Sequence, residues 1–206
     1  WYSQAGTPRL TAAGVWDAAS GSYALTLSQA TPPTPGQPDK LPLHIPVAVG
    51  LIGPDGADLP LQLDGEARPG DTSRILELKD ASRTWHFTGL AAEPVPSILR
   101  GFSAPVILDI AEDDARLAFR MACDADPFNR WDAAQRYMER VVLALAAAAV
   151  AGRPLDVPQA FGHAFRALLV DERLDPAFVA ETLALPAEAY LLERMQPADP
   201  AALRAA

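Results

Sequence analysis

Proline and glycine are spread unevenly along the chain, and that asymmetry limits what it can fold into. Of 33 such residues, 24 fall in the first 110 positions and 9 in the rest. Alanine does the reverse, with 14 before that boundary and 26 after it. Proline and glycine punctuate turns, whereas alanine has the highest helix propensity. The expectation is two domains of different class: a β domain over 1–110 and an all-α segment over 111–206.

The first half carries period-two patterns. Tyr23, Leu25 and Leu27 alternate with Ala24, Thr26 and Ser28. Leu43, Ile45, Val47, Val49 and Leu51 form a second alternating set. Shorter runs cover 59–63, 74–78, 84–88 and 105–110. Alternation puts one side of a strand on a core and the other in water. Turn signals separate the runs: Ala19-Ser20-Gly21, Gly53-Pro54-Asp55-Gly56, Asp64-Gly65 and Pro69-Gly70-Asp71. About seven short strands at this spacing predict an immunoglobulin-like β-sandwich. Four prolines within 31–38 predict an extended surface loop, because proline brings no donor to a ladder.

The second half has helical spacing. Trp131, Ala134, Met138, Val141, Leu145 and Ala148 recur at steps of three and four, which is one face of a helix. Asp132 and Arg136 stand one turn apart and form a weak pair. Asp126-Pro127, Asp175-Pro176 and Asp199-Pro200 each place a capping carboxylate before a proline suited to the first turn. Val157-Pro158 is a weaker start, and Gly152 fits the stop of the long helix. Residues 111–123 alternate like a strand at Ala115, Leu117, Phe119 and Met121, but their composition favours helix. Stacked helix pairs bury their faces against neighbours, and the last pattern runs to Ala206 without a partner. The first residue is Trp1, not methionine. Both ends raise the expectation of a piece of a longer protein.

No chemistry-bearing constellation emerges. His44, His86 and His163 have no ligand-spaced partners, and HExxH and CxxC are absent. Satisfied or surface histidines are the commoner use. The glycine-rich stretch 50–56 contains Pro54, lacks a following lysine, and reads as a hairpin turn. Asp113 and Asp114 sit where acids complement a helix dipole. Trp85 and Trp131 are more often core residues than ligand platforms. Cys123 is the only cysteine, so no internal disulfide forms, and its apolar neighbours suggest a small buried hydrophobe. The expected catalytic, cofactor-binding and metal residues are therefore none, and the chain alone is expected to be inactive. With 26 acidic against 17 basic residues the formal charge is −9, which disfavours nucleic acid as a partner. The longest apolar run, 141–151, is too short to cross a bilayer, so no membrane partner is expected.

Several stretches resemble bacterial aminopeptidase N, a family of zinc metallopeptidases. They are WYSQAGTP, LTLSQATPPTPGQPDKLPLHIPVAVGL, AEPVPSILRGFSAPV, DPFNRWDAAQ and AFRALLVDERLDPAFVAETLALP, in that order along nearly the whole chain. The resemblance implies a small β-sandwich followed by the start of a helical C-terminal domain. In that family zinc is held by HExxH and a distal glutamate, with the motif's glutamate activating water. None of these motifs occurs here, so no catalytic residue is carried over. The implied role is structural: a spacer between the catalytic domain and a helical cap, and part of the wall around the active-site chamber. The implied partners are the parent's catalytic domain and remaining helices, with peptides as the parent's substrates. The implied cofactor is zinc in the parent, and the implied location is the cytoplasm. A free-standing immunoglobulin-like binding module is the alternative.

Overall fold

The computed structural model describes residues 1–206, which divide into two compact units, Trp1–Glu112 and Asp113–Ala206. The first holds seven strands: β1 (Arg9–Asp17), β2 (Ser22–Ala30), β3 (Ile45–Ile52), β4 (Ser73–Leu78), β5 (Ser82–Phe87), β6 (Val95–Ile98) and β7 (Ile107–Ile110). They form two sheets, β5-β2-β1-β7 and β4-β3-β6. All pairings are antiparallel except β1 with β7. This is the immunoglobulin-like sandwich that the alternating runs predict.

Pleating explains the core. Tyr23, Leu25 and Leu27 on β2 face inward with Ile45, Val47, Val49 and Leu51 of β3. The register sets Leu25 opposite Trp85 and Tyr23 opposite Phe87, and all four are buried. On the other face of the same pair the side chains are polar. Thr26 meets Thr84 and Ser28 meets Ser82, each with 2.8 Å between hydroxyl oxygens. Such cross-strand contacts pin the register, since a one-residue slip would turn the apolar set to water.

The structure departs from the periodicity in four places, one of them β6, which no run anticipates. Strand β1 has no counterpart among the runs. Its inward positions include Leu10 and Ala12, while its one valine, Val15, points outward, so the hydrophobic alternation is too weak to see. Residues 59–63 are not a strand. Their backbone bonds go in turn to Leu51, to Asp71 and Gly70, and to Thr88, so no single partner supplies a ladder. The proline-rich 31–38 segment turns back on itself, with Thr34 and Gln37 exchanging both backbone bonds.

The second unit holds six helices: α1 (Asp114–Cys123), α2 (Pro127–Val150), α3 (Gln159–Leu169), α4 (Pro176–Leu183), α5 (Glu188–Arg194) and α6 (Pro200–Ala205). The ambiguous 111–123 stretch is helical from Asp114. Asp126, Asp175 and Asp199 each cap the helix that follows, accepting from a backbone N–H two or three residues on. Pro158 and Ala187 occupy the N-cap positions of α3 and α5, and neither makes a side-chain cap bond. Helix α2 ends as Gly152 predicts. Its φ is 61°, and Arg153 N donates to Ala148 O at 2.9 Å, closing the last turn. Ala134, Met138, Val141 and Leu145 are buried in the helical core, whereas Trp131 is half-buried. Tyr137 joins that core edge-on to Phe161, with 5.3 Å between ring centroids. No helix is long and apolar enough to cross a membrane.

Candidate functional site

The residues that the sequence singles out do not gather at one place, and several are engaged in local contacts. His44 is exposed, with Nε2 3.4 Å from Glu77. His86 and His163 are exposed on β5 and α3. Asp113 caps α1, accepting from Arg116 N at 2.8 Å, and Asp114 accepts from Arg140 at 2.8 Å. Gly50 lies within β3, and Gly53 and Gly56 form the turn that follows, in which Gly53 N donates to Ala57 O. Trp85 is a core residue with the Arg83 guanidinium 5.0 Å from its ring centroid. Cys123 is half-buried, and burial raises its thiol pKa, which keeps it protonated and a poor nucleophile. No group of three or more His, Cys, Asp or Glu side chains gathers to hold a metal ion. The residues present do not fit a zinc centre.

Two charged clusters escaped the sequence reading, because their members are far apart in the chain or sit at a helix junction. In the β unit Arg100 is 8% exposed and makes a two-bond fork to Asp58, at 2.7 and 2.6 Å. Its Nε donates to Ser97 at 3.0 Å. The guanidinium lies over Gly50, where a Cβ would fall 2.0 Å from its central carbon. In the helical unit Arg120 and Asp124 pair at 3.3 Å, both buried, and Arg130 donates to Ala122 O at 2.9 Å. Burial lowers the Arg130 pKa, while Asp171 and Asp124 oppose that shift. These groups hold backbone segments together. Each cation is bonded to a carboxylate or carbonyl, which suits a structural role better than proton transfer.

Two open features of the helical unit have largely apolar walls. Helices α2, α3, α5 and α6 leave a groove of about 340 Å³ lined by Met138, Val141, Leu145, Phe161, Leu191 and Leu203. A second cleft, about 380 Å³, lies between α2 and the start of α5, with Trp131, Gln135, Pro186 and Tyr190 as walls. Tyr190 donates to Glu139 at 2.8 Å, and Arg194 donates to Tyr190 at 2.9 Å. The groove suits an apolar group, while the cleft also carries Asp132, Arg136 and Glu139, whose carboxylate is held by Tyr190 and, at 3.6 Å, by Arg194.

Comparison with known proteins agrees with this division. Residues 6–111 match the family described as domain of unknown function DUF3458, with an Ig-like fold. Residues 114–206 match DUF3458_C, described as ARM repeats. Over 98% of its length the chain is 39% identical to aminopeptidase N of Escherichia coli (strain K12), and it spans 23% of that protein. Over its whole length it is 44% identical to aminopeptidase N of Caulobacter vibrioides, spanning 22% of it. Among solved structures, Legionella pneumophila aminopeptidase A in complex with aspartic acid superposes on 98% of this chain and 21% of that one. The TM-score is 0.73 at 23% identity, a likeness of fold.

Proposed function

The chain belongs to the DUF3458 family, and from that premise we propose that it is a structural part of a zinc-dependent aminopeptidase N that removes N-terminal residues from peptides. The observation that carries this reading is likeness to aminopeptidase N along essentially the entire chain, at 39% and 44% identity, although the chain spans less than a quarter of either relative. In this reading zinc, catalysis and recognition of the free amine belong to the rest of the polypeptide. The sandwich spaces the catalytic domain from the helical cap, and the helices form part of the wall that limits which peptides reach the active site. Rigid β cores and stacked helices are suited to holding a distance. The parent is assigned to the cytoplasm, to be checked by cell fractionation.

The test is the size and activity of the native product. An antibody against this chain should detect a band several times larger than 21.9 kDa. Depleting that band from a lysate should remove a zinc-dependent aminopeptidase activity. A lone band near 21.9 kDa, with activity untouched by depletion, would overturn the proposal and leave the free-standing binding module.

A further inference from the structure

Residues 1–8, before β1, belong to no sheet, and most of them are exposed. A segment of that kind usually frays. Here it is tied to the proline-rich loop by a reciprocal set of side-chain bonds. The Gln4 amide accepts from Leu41 N at 2.7 Å and donates to Leu41 O at 2.9 Å. In the opposite direction, the Gln37 amide accepts from Ala5 N at 2.7 Å and donates to Ser3 O at 3.1 Å. Each primary amide thereby imitates a strand residue, offering one donor and one acceptor to the other segment's backbone.

Lys40 closes the arrangement. Its ammonium donates to Ala5 O at 2.9 Å, Thr34 Oγ1 at 2.7 Å and Gln37 Oε1 at 2.9 Å, using all three protons. The loop presents Gln37 and Lys40 in fixed positions because Thr34 and Gln37 exchange backbone bonds. Proline at 32, 33, 35 and 38 further reduces the freedom of the loop. One more bond, Trp1 Nε1 to His44 O at 2.9 Å, anchors the start of the arm.

We propose that Gln4, Gln37 and Lys40 form a clasp that makes residues 1–8 a stiff joint, fixing the direction in which the preceding polypeptide of the aminopeptidase meets the sandwich. This rests on the reading that the chain spaces two larger domains. A spacer sets an orientation only when its connection is stiff, and a free eight-residue arm would let the neighbour swing. These are positioning residues: they touch the arm and not the substrate.

The clasp is tested first on this chain by amide hydrogen exchange. Gln4→Ala/Gln37→Ala should speed exchange at Ala5 and Leu41 by about tenfold or more, since both amides lose their acceptor. Exchange in the β2–β5 ladder should not change. Gln37→Glu should protect Ala5 better than Gln37→Ala does, because a carboxylate accepts from Ala5 N and still faces Lys40, while it loses the donor to Ser3 O. Equal exchange in the wild type and the double variant would overturn the clasp.

The joint is tested on the full-length polypeptide by double electron–electron resonance, with one spin label on the sandwich and one on the domain preceding Trp1. The double variant should broaden the distance distribution. It should also change the ratio of kcat/KM for long over short peptides, leaving kcat for the shortest substrate unchanged. Faster exchange with an unchanged distribution and ratio would overturn the joint while leaving the aminopeptidase reading intact. A full-length wild type with no aminopeptidase activity would sink that reading instead, and the distance distribution would still decide the joint.

Discussion

Gly50→Ala should cost the β unit roughly 2–3 kcal/mol, although the position needs no unusual backbone. The cost comes from Arg100. A Cβ at residue 50 would stand 2.0 Å from Arg100 Cζ and 2.3 Å from Nη2, so the guanidinium must move by more than an ångström. That displacement stretches the 2.6 and 2.7 Å bonds to Asp58 beyond hydrogen-bonding range and strains the 3.0 Å bond to Ser97. Breaking a buried pair costs about 3–5 kcal/mol, and the lower end applies because Asp58 keeps 16% of its side chain exposed. Replacing glycine recovers about 0.4–1 kcal/mol through the unfolded chain, which leaves the net figure above. Asp58→Ala should cost about 3 kcal/mol by stranding the same cation. Both changes act through one ion pair, so the double variant should fall short of the sum by about 2 kcal/mol. Urea unfolding of the four proteins, followed by tryptophan fluorescence, measures this. Additive losses, or a Gly50→Ala cost below about 1 kcal/mol, would refute the idea that the glycine exists to seat the guanidinium.

Three further outcomes are expected. Asp126→Ala removes the acceptor 2.9 Å from Asn129 N and should lower helical-unit stability by about 1 kcal/mol, read as a fall of roughly 4–8 °C in the circular-dichroism melt, with Asp126→Asn close to wild type. The two-bond contact from Arg173 pulls the Asp171 carboxyl down to about 2 from 3.8, so its contribution is complete above the unfolded value and is lost as pH falls through the folded one. The stability gap between wild type and Asp171→Asn should therefore be constant above about pH 5 and shrink between about pH 4 and 2 in acid titrations monitored by circular dichroism. Burial raises the Cys123 pKa above the ordinary 9.0, so alkylation by iodoacetamide should reach half its maximal rate at a higher pH in the folded chain than in urea.

What the sequence revealed depended on how local the cause was. The three Asp-Pro starts were readable because a cap and its N–H lie within three residues of one another. Strands β2 and β3 were readable because Leu25, Leu27, Val47 and Val49 carry large side chains at strict alternation. Strand β1 was not, since Leu10 and Ala12 point in but Val15 points out. Strand β6 was hidden by Pro96, which is tolerated because β6 is the edge of its sheet. The 59–63 run has strand composition but moves between partners, and only the assembled sandwich shows that.

The same principle accounts for the polar groups that matter most. Arg100 and Asp58 are 42 residues apart, and Gln4 and Leu41 are 37 apart. Nothing in the local sequence distinguishes Gln37 or Lys40 from ordinary loop residues on an exposed, proline-rich turn. Their roles arise from topology. Parallel pairing of β1 with β7 and antiparallel pairing with β2 fix where Arg9 begins, and the arm before it must then run past the loop that joins β2 to β3. Once the arm lies there, Gln37 and Lys40 of the loop bond its backbone, and Gln4 of the arm bonds the loop's Leu41, where a proline-rich loop forms no ladder. Substituting the prolines alone should loosen the arm even with Gln4, Gln37 and Lys40 intact, and exchange at Ala5 in a Pro35→Ala/Pro38→Ala variant measures that dependence directly.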